Sequence, residues 1–96
     1  MEKTHYLICF DVFDDKRRRR LVRHLEQFSY RIQYSVFCVD ADKSRLEKIR
    51  RGIEQATSED DSVFIFPMNS LDWKNKIIYG EKNKDIKKCD EKVIVI

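Results

Sequence analysis

Three short apolar runs punctuate a chain that is otherwise dense in charge. Residues 5–12, HYLICFDV, are rich in β-branched and aromatic types and too short for a helix. That pattern predicts a strand buried on both faces and central in its sheet. Residues 30–39, YRIQYSVFCV, predict either one bent strand or two short ones hinged around Gln33 to Ser35. Ser62 to Met68, SVFIFPM, predicts another strand, with the single proline placed to end it. Between these runs the apolar spacing becomes helical. Leu21, Val22, Leu25 and Phe28 form a stripe on a helix that Asp14 or Asp15 would cap and that runs to about Ser29. Leu46, Ile49, Ile53 and Ala56 mark a second helix, capped by Asp42 or Ser44, with Ser44 and Glu47 in capping-box spacing. Two later runs, KIIYG and KVIVI, read as strands on either side of a lysine-rich linker.

With the second segment divided, the order is βαββαβ plus C-terminal strand. This is an α+β, ferredoxin-like two-layer sandwich, with an antiparallel sheet and two helices on one face. Right-handed crossovers place the first strand inside the sheet. Residues 1–96 read as a single domain, in which 69–96 supply C-terminal strands and a tail engaged in dimerisation. An apolar strand such as KVIVI at a chain end is an aggregation-prone edge unless it joins the sheet of a second protomer.

Composition changes this picture little until the charges are located. A formal net charge of +3 does not by itself identify a nucleic-acid binder. The cations are clustered, however: Lys16 to Arg20 are consecutive, Arg23 follows, and a second group runs from Lys74 to Lys88. The three cysteines, Cys9, Cys38 and Cys89, are odd in number and unpaired in spacing, which argues against a disulfide framework or a zinc knuckle and reads as cytosolic thiols. No long apolar run or signal-type segment is present, so the expectation is a soluble, cytoplasmic protein without a membrane role.

The stretch FDVFDDKRRRR, Phe10 to Arg20, concentrates the candidate chemistry. Asp11 leaves the core at the C-terminal end of the first strand. One reading makes it an exposed cap or a salt-bridge partner of a helix arginine; the other makes it a metal ligand. A single carboxylate is a poor Mg²⁺ site, but a two-fold dimer would bring two copies together. Asp14 and Asp15 sit where caps belong. Arg17 and Arg18 extend the apolar stripe beyond the sheet, while Arg19 and Arg20 diverge from it. Cations at a helix N-terminus oppose the macrodipole at a cost of a few tenths to about 1 kcal/mol each, so the run suits an external anion such as phosphate as well as a merely solvated face. No nucleophile elbow, P-loop or dinucleotide fingerprint is present.

Three stretches, taken together, resemble the CRISPR-associated Cas2 family: FDVFDDKRRRRL as its strand-end aspartate and basic helix, RIQYSVF as its second-strand motif, and DDSVFIFPM as its later strand. The resemblance covers residues 6 to 68. It implies a ferredoxin-like homodimer acting in CRISPR adaptation with the integrase subunit and binding DNA. It also implies Mg²⁺- or Mn²⁺-dependent endonuclease activity on RNA or duplex DNA, with strand-end aspartates of two protomers holding the metal. The matching positions are Asp11 as catalytic and metal-binding residue, Arg18 and Arg20, with their neighbours Arg17 and Arg19, and Arg31 as nucleic-acid contacts, and Phe37 as support for the dimer or the site. Where the family commonly has a glycine after SVF, this chain has Cys38-Val39-Asp40. The competing reading is a non-catalytic dimeric DNA-binding scaffold for the integrase subunit, with Asp11 structural.

Overall fold

The computed structural model describes residues 3–80. Along them run β1 (Thr4–Asp11), α1 (Asp15–Glu26), β2 (Tyr30–Gln33), β3 (Val36–Ala41), α2 (Lys43–Ala56), β4 (Ser62–Met68) and the short α3 (Ser70–Lys74). The sheet order is β2-β3-β1-β4, so β1 lies inside the sheet as expected. It runs antiparallel to both neighbours, with Ile8 opposite Phe37 on one side and Ile65 on the other. The second apolar segment is two strands, turning at Tyr34 and Ser35. This arrangement is the ferredoxin-like α+β sandwich.

Both long helices begin where a carboxylate satisfies an orphan N–H. Asp14 accepts from the Arg17 N–H and Asp42 from the Arg45 N–H, each at 2.9 Å. Asp42 therefore does the work that Ser44 was a candidate for. Helix α1 stops three residues short of Ser29 because the backbone tightens: Gln27 donates to His24 O, and Ser29 gives both its N–H and its hydroxyl to Leu25 O. Period-two alternation sends Ile8, Phe10, Phe37 and Val39 to the helix side, where they meet Leu21, Leu25, Ile49 and Ile53 in one core. The helices approach closely through Gly52. A Cβ there would stand 2.0 Å from the His24 ring, whose Nε2 donates to Ile49 O at 3.1 Å.

The opposite face is only half covered, which corrects the expectation that β1 is buried on both faces. Trp73 of α3, Cys38 and Ile78 form a second cluster there with Leu7, Ile32 and Met68. Further along, Phe64 and Phe66 remain 57% and 47% exposed. Pro67 lies within β4 rather than ending it, one residue before the last. Residues 76–80 are not a strand; Ile78 makes an isolated bridge. The second late run, KVIVI, lies outside the described residues. Cys9 is a free thiol, whereas Cys38 is disulfide-bonded, so the reading of all the cysteines as thiols does not hold for Cys38. Among the described residues no helix is long and apolar enough to cross a membrane.

Candidate nucleic-acid interface

Asp11 occupies the last rung of β1, opposite Ser62 of β4. Alternation along the strand places it on the helix-free face with Cys9 and Leu7. Its carboxylate is exposed and makes no hydrogen bond or ion pair among the described residues. The salt-bridge reading of Asp11 is therefore not realised within the protomer. The arginine helix packs on the other face, so Asp11 and the arginines share one end of the sheet but project from opposite sides of it.

The basic run divides by role. Arg17 donates through Nε and Nη2 to the two carboxylate oxygens of Asp61, at 2.8 and 3.2 Å. Arg17 thus already has an anion within the chain, 44 residues away. Arg18 donates to Val12 O at 3.2 Å and pairs with Asp15, which folds the joint between β1 and α1 onto itself. Asp15 is thus an ion-pair partner, while Asp14 is the cap. Arg19 and Arg20 are exposed on diverging sides, Arg20 toward a hollow it shares with His24 and Gly52.

Arg31 reaches the same region from the sheet edge. A bulge between Arg31 and Gln33 re-aims β2, and the Arg31 guanidinium donates through Nε and Nη2 to Tyr34 O at 2.9 and 2.6 Å. It lies 5.0 Å from the centroid of Tyr34 and 5.6 Å from that of Phe37. Phe37 is fully buried and belongs to the protomer's own core, with the Arg31 guanidinium over its ring. A concavity of about 450 Å³ results, lined by Arg18, Arg19, Arg23, Arg31, Tyr34 and Glu26. Sequence reasoning assigned no contact to Arg23 or Tyr34. The helical interval from Arg19 to Arg23 placed Arg23 on the same flank, but nothing local brought the β2–β3 turn beside it.

Asp61 is the other residue whose role went unread. Its side chain is 0% exposed, and besides Arg17 it accepts from the Ser58 N–H at 2.9 Å. The Arg17 hydrogen bonds first, and the Ser58 N–H second, hold its carboxyl below the usual carboxylate range. A depressed folded-state pKa contributes stability that is complete above the unfolded value and is lost as pH falls through the folded value. Thermal melts between about pH 7 and pH 3 should therefore show Asp61→Asn least stable relative to wild type at neutral pH, with the gap closing below about pH 4. Asp14, lowered first by its bond from the Arg17 N–H, leaves the variant some acid sensitivity of its own. A gap independent of pH would refute this account of Asp61.

Among the described residues no three His, Cys, Asp or Glu side chains cluster as a metal site. At the end of β1 one copy of the chain offers the Asp11 carboxylate, and a single carboxylate would fit a divalent cation only with a second copy contributing its own.

The fold and the arginine-lined concavity define a ferredoxin-like α+β protein with a cationic groove beside its first crossover. The chain belongs to the Cas2 family: residues 4–76 match the family model described as CRISPR associated protein Cas2. A Synechocystis protein named CRISPR-associated endoribonuclease Cas2 2 is 38% identical over 77 residues, covering 78% of this chain and 83% of that one. A second from the same organism, CRISPR-associated endoribonuclease Cas2 3, is 32% identical over 77 residues, covering 79% and 84%. Among solved structures, a hypothetical protein from Thermus thermophilus superposes with a TM-score of 0.68 at 32% identity, over 71% of this chain and 84% of that one. A chain of a partial Cas6-RT-Cas1–Cas2 complex gives 0.62 at 36% identity, over 86% and 90%.

Proposed function

We propose that this protein acts in CRISPR adaptation as a homodimer that binds nucleic acid beside an integrase subunit and hydrolyses phosphodiester bonds with the help of a divalent metal. The observation that carries the reading is the convergence of Arg18, Arg19, Arg23 and Arg31 on one concave surface. Such a set holds a phosphate backbone by charge-assisted bonds and resists substitution by lysine wherever a contact is bidentate. Kinship with a chain of a complex that contains Cas1 supports the integrase partner.

Cleavage requires the second copy. Exposed Phe64 and Phe66, paired across β4 and β1 with Cys9 and Leu7, form an apolar surface next to Asp11 that a two-fold partner would cover. Asp11 from each protomer would then hold Mg²⁺ or Mn²⁺, which supplies water activation and charge neutralisation at phosphate. The groove arginines position the strand. A scaffold without catalysis is the second reading, favoured by the same likeness to an assembled complex.

Sedimentation should find a dimer. Assays on single-stranded RNA and duplex DNA should find cleavage with Mg²⁺ and none in excess chelator, and binding that weakens steeply with salt. Salt-sensitive binding without metal-dependent cleavage would establish the scaffold reading, and a monomer would remove the shared site.

A further inference from the structure

The helix-free face carries a cavity that the basic groove does not use. It measures about 380 Å³ and is walled by Leu7, Ile32, Met68, Trp73, Ile77 and Ile78. Trp73 is buried and well held: the His5 ring stacks on it with centroids 4.9 Å apart, and the Lys76 ammonium stands 3.9 Å from its centroid. Its indole N–H nonetheless has no hydrogen-bond partner among the described residues. A buried donor left unpaired is costly, so an apolar cavity lined by one calls for an occupant that brings both aliphatic side chains and a carbonyl oxygen. Cys38 belongs to the same cluster, fully buried with Trp73 and Ile78, and is disulfide-bonded. Cys9 is a free thiol and the chain has three cysteines, so by count the partner of Cys38 is Cys89.

We infer that this disulfide is a redox latch: while it is closed, residues 92–96, KVIVI, occupy the cavity of their own chain, and its reduction frees them for a second copy. The tether selects that occupant. Val93 lies four residues, at most about 14 Å of extended chain, beyond the bonded cysteine. A link so short gives the run an effective concentration at the cavity on the order of millimolar, ahead of any free competitor. Val93, Ile94, Val95 and Ile96 match the aliphatic walls, and an extended backbone brings carbonyl oxygens for the Trp73 N–H to donate to. A lone disulfide beside a free thiol is no folding framework; in reducing surroundings such bonds are transient and act as switches. Closing it breaks two S–H bonds and forms one S–S bond, with two electrons and two protons passing to a low-molecular-weight disulfide that leaves as two thiols. A dithiol reverses the exchange. The release to a second copy rests on the homodimer reading, whereas the seat in the cavity does not.

Trp73 is the single tryptophan of the chain, so its fluorescence reports on the cavity directly. In a Cys9→Ser background, which prevents exchange with the third thiol, peptide mapping without reductant should recover Cys38 joined to Cys89. At low protein concentration dithiothreitol should raise the quenching of Trp73 by acrylamide severalfold. Cys89→Ser, and separately a chain ending at Glu91, should show the raised value with or without reductant; the second keeps the disulfide and lacks only the run. Sedimentation should find dimerisation at least about tenfold tighter after reduction, because a closed latch leaves the run free only a small fraction of the time. Quenching that neither reduction nor truncation changes would refute the seat, and Cys38 joined to a second chain would refute the latch. Equal dimerisation in both redox states would refute the control of assembly. A monomer in both states would remove the homodimer reading and that control with it, while the quenching still decides the seat.

Discussion

Asp11→Ala is expected to reduce metal-dependent cleavage to the rate that the wild-type protein shows in excess chelator, a loss of at least about a hundredfold. The carboxylate carries no hydrogen bond or ion pair among the described residues and is exposed, so its removal leaves the core untouched. Thermal stability should stay within about 0.5 kcal/mol of wild type, as for surface substitutions away from specific contacts. The groove arginines face the other side of the sheet, so strand affinity should also be retained. Asp11→Asn provides the sharper comparison: it preserves shape while removing charge, and should lose as much activity as alanine. A folded, dimeric Asp11→Ala protein that cuts at the wild-type rate would sink the metal assignment and leave Asp11 a plain strand end.

The largest loss of stability is expected from Phe37→Ala. Phe37 is 0% exposed, pairs with Ile8 across β1 and β3, and packs its ring 6.1 Å from that of Phe10. Deleting so large a buried side chain costs about 3–5 kcal/mol, a serious fraction of the roughly 5–15 kcal/mol that holds a domain together. Urea titration should show the midpoint falling accordingly, with Phe37→Leu losing less. The same substitution removes the ring beneath Arg31. Groove affinity should therefore drop even in the fraction that remains folded, whereas Ile49→Ala, equally buried but on α2, which supplies none of the groove's lining residues, should cost stability without that drop. Equal affinity losses in the two variants would separate Phe37 from the site.

Local patterns carried the elements that depend on neighbours in sequence. HYLICFDV announced an interior strand, and Asp14 and Asp42 announced helix starts, because strand composition and capping act within a few residues. The sequence of YRIQYSVFCV marks where a hinge belongs, Gln33 to Ser35, but not whether the strand breaks there. Its turn at Tyr34 and Ser35 contains no Gly, Asn, Asp or Pro, and no non-glycine residue among those described needs a positive φ. Helix α3 escaped because five residues hold too little periodicity, although Asn69, accepting from the Asp72 N–H at 2.7 Å, caps it. At the site, charge pattern identified the basic helix but not how its members divide. Arg17 and Asp61 are far apart in sequence, and only the fold of α1 against the α2–β4 connection brings them together. Phe37 shows the same limit: an aromatic residue in a short strand has no side until its register is known, and here the register puts it in the core.

The grip of Arg31 on the turn carbonyl has a kinetic consequence. With Arg31 fixed by the turn carbonyl and Arg18 by Val12 O, these two guanidinium groups have little left to order when a polyanion arrives, so on the proposed reading encounter rather than rearrangement would govern association. Guanidinium groups on both walls attract a polyanion over several ångströms, so on the proposed reading ionic strength would act chiefly on how fast complexes form.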